Sequence, residues 1–250
     1  MMLLLDIGNT SLRWALSDGG PPGETRVVRH GGAAPLDLLA EWERLDAPVR
    51  VLASNVGGAA IASAISRVTR AYWRREVEYI RTRATFGALR IAYSEPERLG
   101  VDRWLALIAA HRLLGEAALI LDAGTAATFD LLLADGQHIG GLILPGIEMM
   151  RASLLAGTRI PRIEAEPTDA PWAADTGPAV AAGSLHAIAA LADRLYDRLA
   201  SEARSQPRLV LTGGDARRLI PAIDRPCRWI PDLVLRGLVE VAGGEGSTGQ

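Results

Sequence analysis

Short apolar runs, each closed by a polar or glycine-bearing turn, recur along the first third of the chain, and the pattern restarts near residue 117. Leu3-Leu4-Leu5, Leu12 to Leu16 and the segment after Gly23 predict strands near 2–6, 11–17 and 25–29. The cluster Asp18-Gly19-Gly20-Pro21-Pro22-Gly23 is the turn between the last two. Helical spacing over Leu36–Leu45 comes next, then a buried strand over Val49–Ser54 that closes at Asn55 and Gly57-Gly58. A helix over 59–71 and a strand over 76–81 complete the half. Gly87 to Leu99 is irregular. A long amphipathic helix starts near Val101, with Leu105, Ile108, Ala109 and Leu113 on its apolar face.

The second half predicts strands over 117–122, 126–133 and 138–144, with Ala134-Asp135-Gly136 as a hairpin turn. Pro145-Gly146 opens a helix to about Leu155. A polar, proline-bearing stretch over 158–174 is too long for a routine connection, which makes it a flap or part of a site. An alanine-rich helix over 177–203 follows. After it come a strand at Leu209–Leu211, a tight turn at Gly213-Gly214, a helix over 215–222 and a last helix over 232–242 opened by Pro231. Both halves read βββ then αβα, a duplicated α/β architecture with mixed sheets. The halves are 1–115, including a bridging helix from 101, and 116–242, with 243–250 as a disordered tail.

The restart carries chemistry. Asp6-Ile7-Gly8-Asn9-Thr10 follows the first apolar run, and Asp122-Ala123-Gly124-Thr125-Ala126 follows Leu119-Ile120-Leu121. A glycine at a hairpin tip lets backbone N–H groups approach a phosphate, and Thr10 or Thr125 can add a hydroxyl. A carboxylate cannot face a phosphate without a cation between them, so Asp6 and Asp122 point to metal positioning. One copy alone reads as an ordinary Asx turn. Two copies in matching strand contexts point to related half-domains facing each other across a cleft that holds a nucleotide's phosphates.

Composition narrows the classes. Among 250 residues 49% are hydrophobic, yet no apolar run is long enough to span a membrane, and Asp6 interrupts the apolar N-terminus before it can act as a signal peptide. The net charge of -2 argues against a nucleic-acid or acidic-membrane partner. The lone Cys227 reads as a structural thiol and fits a reducing, cytoplasmic setting. All 27 basic residues are arginine. The absence of lysine excludes a P-loop and a Schiff-base enzyme. One cysteine and four scattered histidines exclude a closed Cys/His zinc site. His30, His111, His138 and His186 have no ligand spacing and read as structural or surface.

Gly100-Val101-Asp102-Arg103 opens the bridging helix. A helix N-terminus favours an ionised carboxylate, so Asp102 is a candidate base for a substrate hydroxyl. Arg103 can hold a carboxylate or phosphate through its planar fork. The plainer alternative is a first-turn acid beside a surface charge. Gly140-Gly141-Leu142-Ile143-Leu144-Pro145-Gly146 and Thr212-Gly213-Gly214-Asp215-Ala216 offer close backbone approach, the latter to the flat face of a purine or simply as a tight turn. Asp175-Thr176-Gly177 reads first as an N-cap, with a substrate contact from Thr176 as the alternative.

These motifs, in this order and at these spacings, resemble the type III pantothenate kinases of bacteria, within the acetate and sugar kinase/Hsp70/actin superfamily. The resemblance extends from Leu3 to about Val241 and includes Pro231-Asp232-Leu233-Val234-Leu235-Arg236-Gly237. It implies duplicated actin/ribonuclease H-like βββαβα half-domains with a nucleotide cleft between them. It also implies ATP-dependent phosphorylation of pantothenate to 4′-phosphopantothenate, the first step towards coenzyme A. By motif match, Asp6, Ile7, Gly8, Asn9, Thr10, Ser11, Leu12 and Arg13 take the ATP phosphates, with Thr125 as a further ATP contact. Asp6 helps hold Mg²⁺, and Asp122 binds the monovalent cation, K⁺ or NH₄⁺. Asp102 is the base. Gly100, Val101 and Arg103 frame the pantothenate, with Tyr93 and Thr176 as additional contacts. The family is dimeric, and Thr158 is a candidate to reach into the partner's pocket. The resemblance leaves two rivals: another small-molecule kinase of this superfamily, such as a sugar or acetate kinase, and an accessory transcription regulator of the same family. The intact Asp102 and both turns speak against the second.

Overall fold

The computed structural model describes residues 1–161 and 172–244. Most of the proline-bearing stretch and the last six residues of the expected tail lie outside them, while residues 243 and 244 close the final helix.

The first half runs β1 (Met2–Ile7), β2 (Ser11–Ser17), β3 (Arg26–Arg29), α1 (Leu36–Trp42), β4 (Arg50–Asn55), α2 (Ala59–Trp73) and β5 (Val77–Tyr79). Two short strands follow, β6 (Thr85–Phe86) and β7 (Leu89–Arg90), then α3 (Val101–Leu114). The second half runs β8 (Ala118–Ala123), β9 (Ala126–Leu132), β10 (His138–Pro145), α4 (Ile147–Gly157), α5 (Thr176–Ala203), β11 (Arg208–Thr212), α6 (Ala216–Leu219), β12 (Cys227–Trp229) and α7 (Leu233–Gly244).

Two sheets carry the duplication. Their strand orders are β3-β2-β1-β4-β5 and β10-β9-β8-β11-β12, the same order offset by one half. In each, the first three strands form an antiparallel meander and the other two run parallel to its first strand. This is the ribonuclease H-like arrangement expected of each half. The central strands β1 and β8 are buried on both faces and therefore read as unbroken apolar runs, whereas β2 and β9 alternate. The twelfth strand escapes the hydrophobic pattern. It has three residues, lies on a sheet edge with Arg228 and Trp229 exposed, and is bracketed by Pro226 and Pro231.

The chain divides into two compact units. Among the described residues the first comprises 1–86, 93–109 and 232–244, and the second 87–92, 110–161 and 172–231. The first core is built on Trp14, Trp42 and Trp73, with Trp42 edge-on to Trp14 at 6.1 Å and tilted against Trp73 at 5.4 Å. α1 stops short of the predicted Leu45 because its last turn tightens: Arg44 and Leu45 donate to Glu41 and Trp42, three residues back. The second core lies under Phe129, Leu121 and Leu211. Against it α5 lays a stripe through Leu185, Ile188, Ala192, Leu195 and Leu199.

α3 departs from the amphipathic expectation. Its first ten residues are buried all round except Asp102, and Leu113, expected on the apolar face, is exposed. Within the first unit its opening stretch is enclosed by Phe86, edge-on to Trp104 at 5.8 Å, and by α7. A Cβ on Gly237 would collide with the Leu105 carbonyl, so glycine is what lets α7 reach the α3 backbone. Gly237→Ala should therefore lower stability by about 2 kcal/mol, read as the denaturant midpoint; an unchanged midpoint would remove this packing from the account.

Gly87–Ala92 belongs to the second unit. Arg90 N–H donates to the Gly136 carbonyl at 2.9 Å, and Arg90 pairs with Asp135 at 3.3 Å. Ala92 N–H reaches His138 Nδ1 at 3.5 Å, and the opposite ring nitrogen lies 3.0 Å from Asp130. Asp130 and His138 are both buried. The segment thus ends on a fixed strap immediately before Tyr93.

Candidate active site

Asp6 is the penultimate residue of β1, and three strands converge on its carboxylate. Arg13 faces it across the β1–β2 pairing, with Nη1 3.5 Å from Oδ2, and the buried Ser54 faces it from β4. Asp6 is 6% exposed. Burial drives its pKa up to about 6, assisted by the negative charge of Asp102, while Arg13 and the Ser54 hydroxyl pull in the opposite direction. Asp6 and Asp102, two of the three acids singled out in the sequence, are therefore electrostatic neighbours.

Beyond Asp6 the chain turns tightly. Gly8 N–H donates to the Ser11 carbonyl at 3.0 Å, while Asn9 and Thr10 lie exposed at the tip. Ile7 and Leu12 are fully buried, so Gly8 to Ser11 and Arg13 are the residues of this stretch open to a ligand. The loop after β4 closes over this turn: Val56 and Gly57 N–H both donate to the Ile7 carbonyl, at 2.9 and 3.1 Å. A Cβ on Gly57 would strike the Gly8 carbonyl. Asn55 ties its own loop by accepting from Gly57 N–H at 3.1 Å.

At the start of α3, Asp102 Oδ1 accepts from Arg103 N–H at 2.8 Å, and Gly100 leaves room for the carboxylate to fold over the helix end. Arg103 is buried, and its Nη1 donates to the Tyr93 hydroxyl at 3.2 Å. The first unit thus gathers Asp6, the Gly8–Thr10 turn, Arg13, Tyr93 and Gly100–Arg103.

The second unit builds a parallel but unequal turn. Gly124 N–H donates to the Ala126 carbonyl at 3.0 Å, and strand pairing resumes at Ala123↔Ala127, against Ile7↔Leu12 in the first unit. The second turn is therefore one residue tighter. The Asp122 neighbours are Thr128 across β9 and Thr212 along β11, where Asp6 has Arg13 and Ser54. Asp122 is half-buried and Thr125 exposed. Two glycine loops press on this turn: a Cβ on Gly146 would meet the Gly124 carbonyl, and one on Gly213 would meet both the Ala123 carbonyl and the Asp122 carboxylate. Arg218 stitches the loops together, bonding Asp215 at 2.8 Å and Glu148 at 2.9 Å. Thr176 opens α5, exposed, with Asp175 as its N-cap at 2.7 Å. In the sequence Gly213-Gly214 reads as a close-approach turn and Gly57-Gly58 only as a strand end. The two pairs hold equivalent places, and the repeated Gly-Gly after the fourth strand of each half was the signal.

Among the described residues, no group of three or more His, Cys, Asp or Glu side chains forms a metal site. A divalent ion here would have one or two carboxylates and depend on phosphate oxygens for the rest, which is the usual Mg²⁺ arrangement in nucleotide sites.

The profile of the type III pantothenate kinases matches residues 2–198. A type III pantothenate kinase of Nitrosococcus oceani is 39% identical over 249 residues, covering 97% of this chain and 94% of the relative. The chain belongs to the type III pantothenate kinase family. A second member, from Burkholderia thailandensis, is 37% identical over 257 residues, with 96% and 97% covered. Among solved structures, a protein described as a Baf family transcriptional activator from Campylobacter jejuni aligns at TM-score 0.62 and 21% identity over 98% of both chains. The ethanolamine utilization protein EutJ of Carboxydothermus hydrogenoformans aligns at TM-score 0.54 and 14% identity, with 95% and 88% covered. At these identities the two structures share the fold of this type III pantothenate kinase family member and carry nothing about its chemistry. No helix among the described residues is long and apolar enough to cross a membrane.

Proposed function

We propose that this chain phosphorylates pantothenate with ATP to give 4′-phosphopantothenate, the first step of coenzyme A synthesis. The observation that carries this reading is the juxtaposition of Asp102 and Asp6 within the first unit of a chain whose family match runs over residues 2–198. Asp102 takes the proton from the pantothenate hydroxyl. That oxygen forms its bond to the γ-phosphorus as the bond from phosphorus to the β–γ bridging oxygen breaks, and ADP leaves. The bond from Arg103 N–H to Oδ1 holds the Asp102 carboxylate in one orientation for this transfer. Arg103, braced by Tyr93, offers its fork to the pantothenate, with Gly100 and Val101 beside it and Thr176 as a further contact. The turn from Asp6 to Arg13 presents backbone N–H groups to the phosphates, and Thr125 adds a contact to ATP.

Asp6 is the residue to hold Mg²⁺, which when bound neutralises phosphate charge, and Asp122 the residue for K⁺ or NH₄⁺. The different strand neighbours of the two aspartates support this division: an arginine beside Asp6, hydroxyls beside Asp122. The chain works as a cytoplasmic homodimer. The dimer reading is supported by exposed apolar side chains on β10 and α4, namely Leu142, Ile143, Met149 and Leu154. Thr158 ends the same α4 helix, exposed, with its hydroxyl on the Leu154 carbonyl at 2.8 Å, and is the residue proposed to reach the partner's pocket.

The test is pantothenate-dependent ADP release, with hexoses and acetate as control acceptors. Release with a hexose or acetate and none with pantothenate overturns the reading in favour of another kinase of the superfamily. Replacing all K⁺ and NH₄⁺ with Na⁺ should lower the rate at least about tenfold, or 1.4 kcal/mol in the barrier. An unchanged rate would remove the cation role from Asp122.

A further inference from the structure

The loop after β3 carries His30, which does not belong to any of the motifs. Its backbone N–H donates to the Thr10 carbonyl at 3.1 Å, and its ring Nε2 lies 2.9 Å from the Gly8 carbonyl oxygen. The other ring nitrogen, Nδ1, accepts from Gly32 N–H at 3.3 Å. A carbonyl only accepts and an amide N–H only donates, so these partners fix the neutral tautomer with the proton on Nε2. Gly32 has φ of 90°, a backbone state that favours glycine, and its N–H is what orients the ring.

We propose that His30 is a positioning residue of the phosphate turn, holding the Gly8–Asn9 peptide so that Asn9 N–H faces the nucleotide. The inference rests on the kinase reading above. The Gly8 carbonyl is closed in from two sides: His30 Nε2–H bonds it, and Gly57 packs so near that a Cβ there would collide with it. In a trans peptide the C=O and the following N–H point in opposite directions. Pinning the Gly8 oxygen towards His30 and Gly57 therefore sends Asn9 N–H the other way, at an exposed tip between Gly8 and Thr10. The same ring residue holds the far side of the tip through Thr10. If the Gly8–Asn9 plane rotated, a carbonyl oxygen would meet the phosphate in place of an N–H, replacing attraction by repulsion. His30 acts on the ligand through this peptide and does not need to touch it.

The experiment uses the full-length enzyme with His30→Ala, His30→Asn and His30→Gln. Glutamine carries an N–H donor where Nε2 stood; the asparagine amide is one carbon too short to reach the Gly8 carbonyl. His30→Ala and His30→Asn should lower kcat/KM for ATP about tenfold and leave KM for pantothenate within about twofold. His30→Gln should recover most of the loss. Equilibrium titration with Mg·ADP should show the same order of variants, and this arm remains informative if wild-type enzyme releases no ADP with pantothenate, a result that overturns the acceptor and not His30. Wild-type ATP kinetics and Mg·ADP affinity in His30→Asn would overturn the proposal. So would equal losses for both substrates that follow a fall in Tm and are not relieved by glutamine. If His30→Ala does not fold, the asparagine–glutamine difference decides.

Discussion

Asp102→Asn should reduce pantothenate-dependent ADP release by about 10³-fold and leave Mg·ADP affinity within about threefold of wild type. Asparagine has nearly the same shape, and its Oδ1 can still accept the Arg103 N–H that holds the wild-type carboxylate at 2.8 Å. The helix start and the Arg103–Tyr93 contact should therefore survive, so the loss would be chemical. The substitution also has a second readout. The charge of Asp102 is one of the causes that raise the Asp6 pKa, so the variant should lower it. Near-normal turnover in Asp102→Asn would remove Asp102 as the base. Lost turnover with lost nucleotide affinity would assign it to binding.

Asp6→Asn should abolish turnover and yet make the ligand-free protein more stable. The Asp6 carboxyl rises from 3.8 to about 6, chiefly through burial, so its ionised form is less favourable in the folded chain than in the unfolded one. Between pH 6 and 4 the folded state binds a proton that the unfolded state does not, so this group's contribution to stability increases as pH falls through that window. Below about pH 4 both states are protonated and the contribution is level. At pH 7 the ionised group costs about 3 kcal/mol, the equivalent of the shift. Asparagine imitates the neutral acid. Tm at pH 7.5 should therefore rise by several degrees in the variant, and the slope of stability between pH 4 and 6 should flatten. A lower Tm, or an unaltered slope, would show that the Arg13 pairing outweighs the burial cost. The expected outcome is a stability cost that the proposed Mg²⁺ role of Asp6 would account for.

Much of this was legible along the chain because it depends on local rules. Period-two alternation in β2 and β9 and unbroken apolar runs in β1 and β8 mark strands whether or not a partner is known. The capping role of Asp175 is equally local. α3 misled because its periodicity assumes one solvent face, whereas its opening stretch has none. β12 was invisible because three partly exposed edge residues carry no pattern. His30 was read as structural or surface because its partners are backbone carbonyls and an N–H, which leave no mark on side-chain spacing.

By itself the sequence determined the duplication, the two acidic turns, the family and the unrepeated Gly100–Arg103 motif, all of which are carried by residue order. The tertiary structure alone decided that the two turns are unequal. One residue of extra length places Arg13 opposite Asp6, while the tighter copy places Thr128 opposite Asp122, so strand register assigns each carboxylate a different electrostatic neighbour. It also decided that α7, last in the chain, belongs with the first unit, because Gly237 lets its backbone reach that of Leu105. Register and close approach are properties of elements brought together in space, and no pattern within either element contains them.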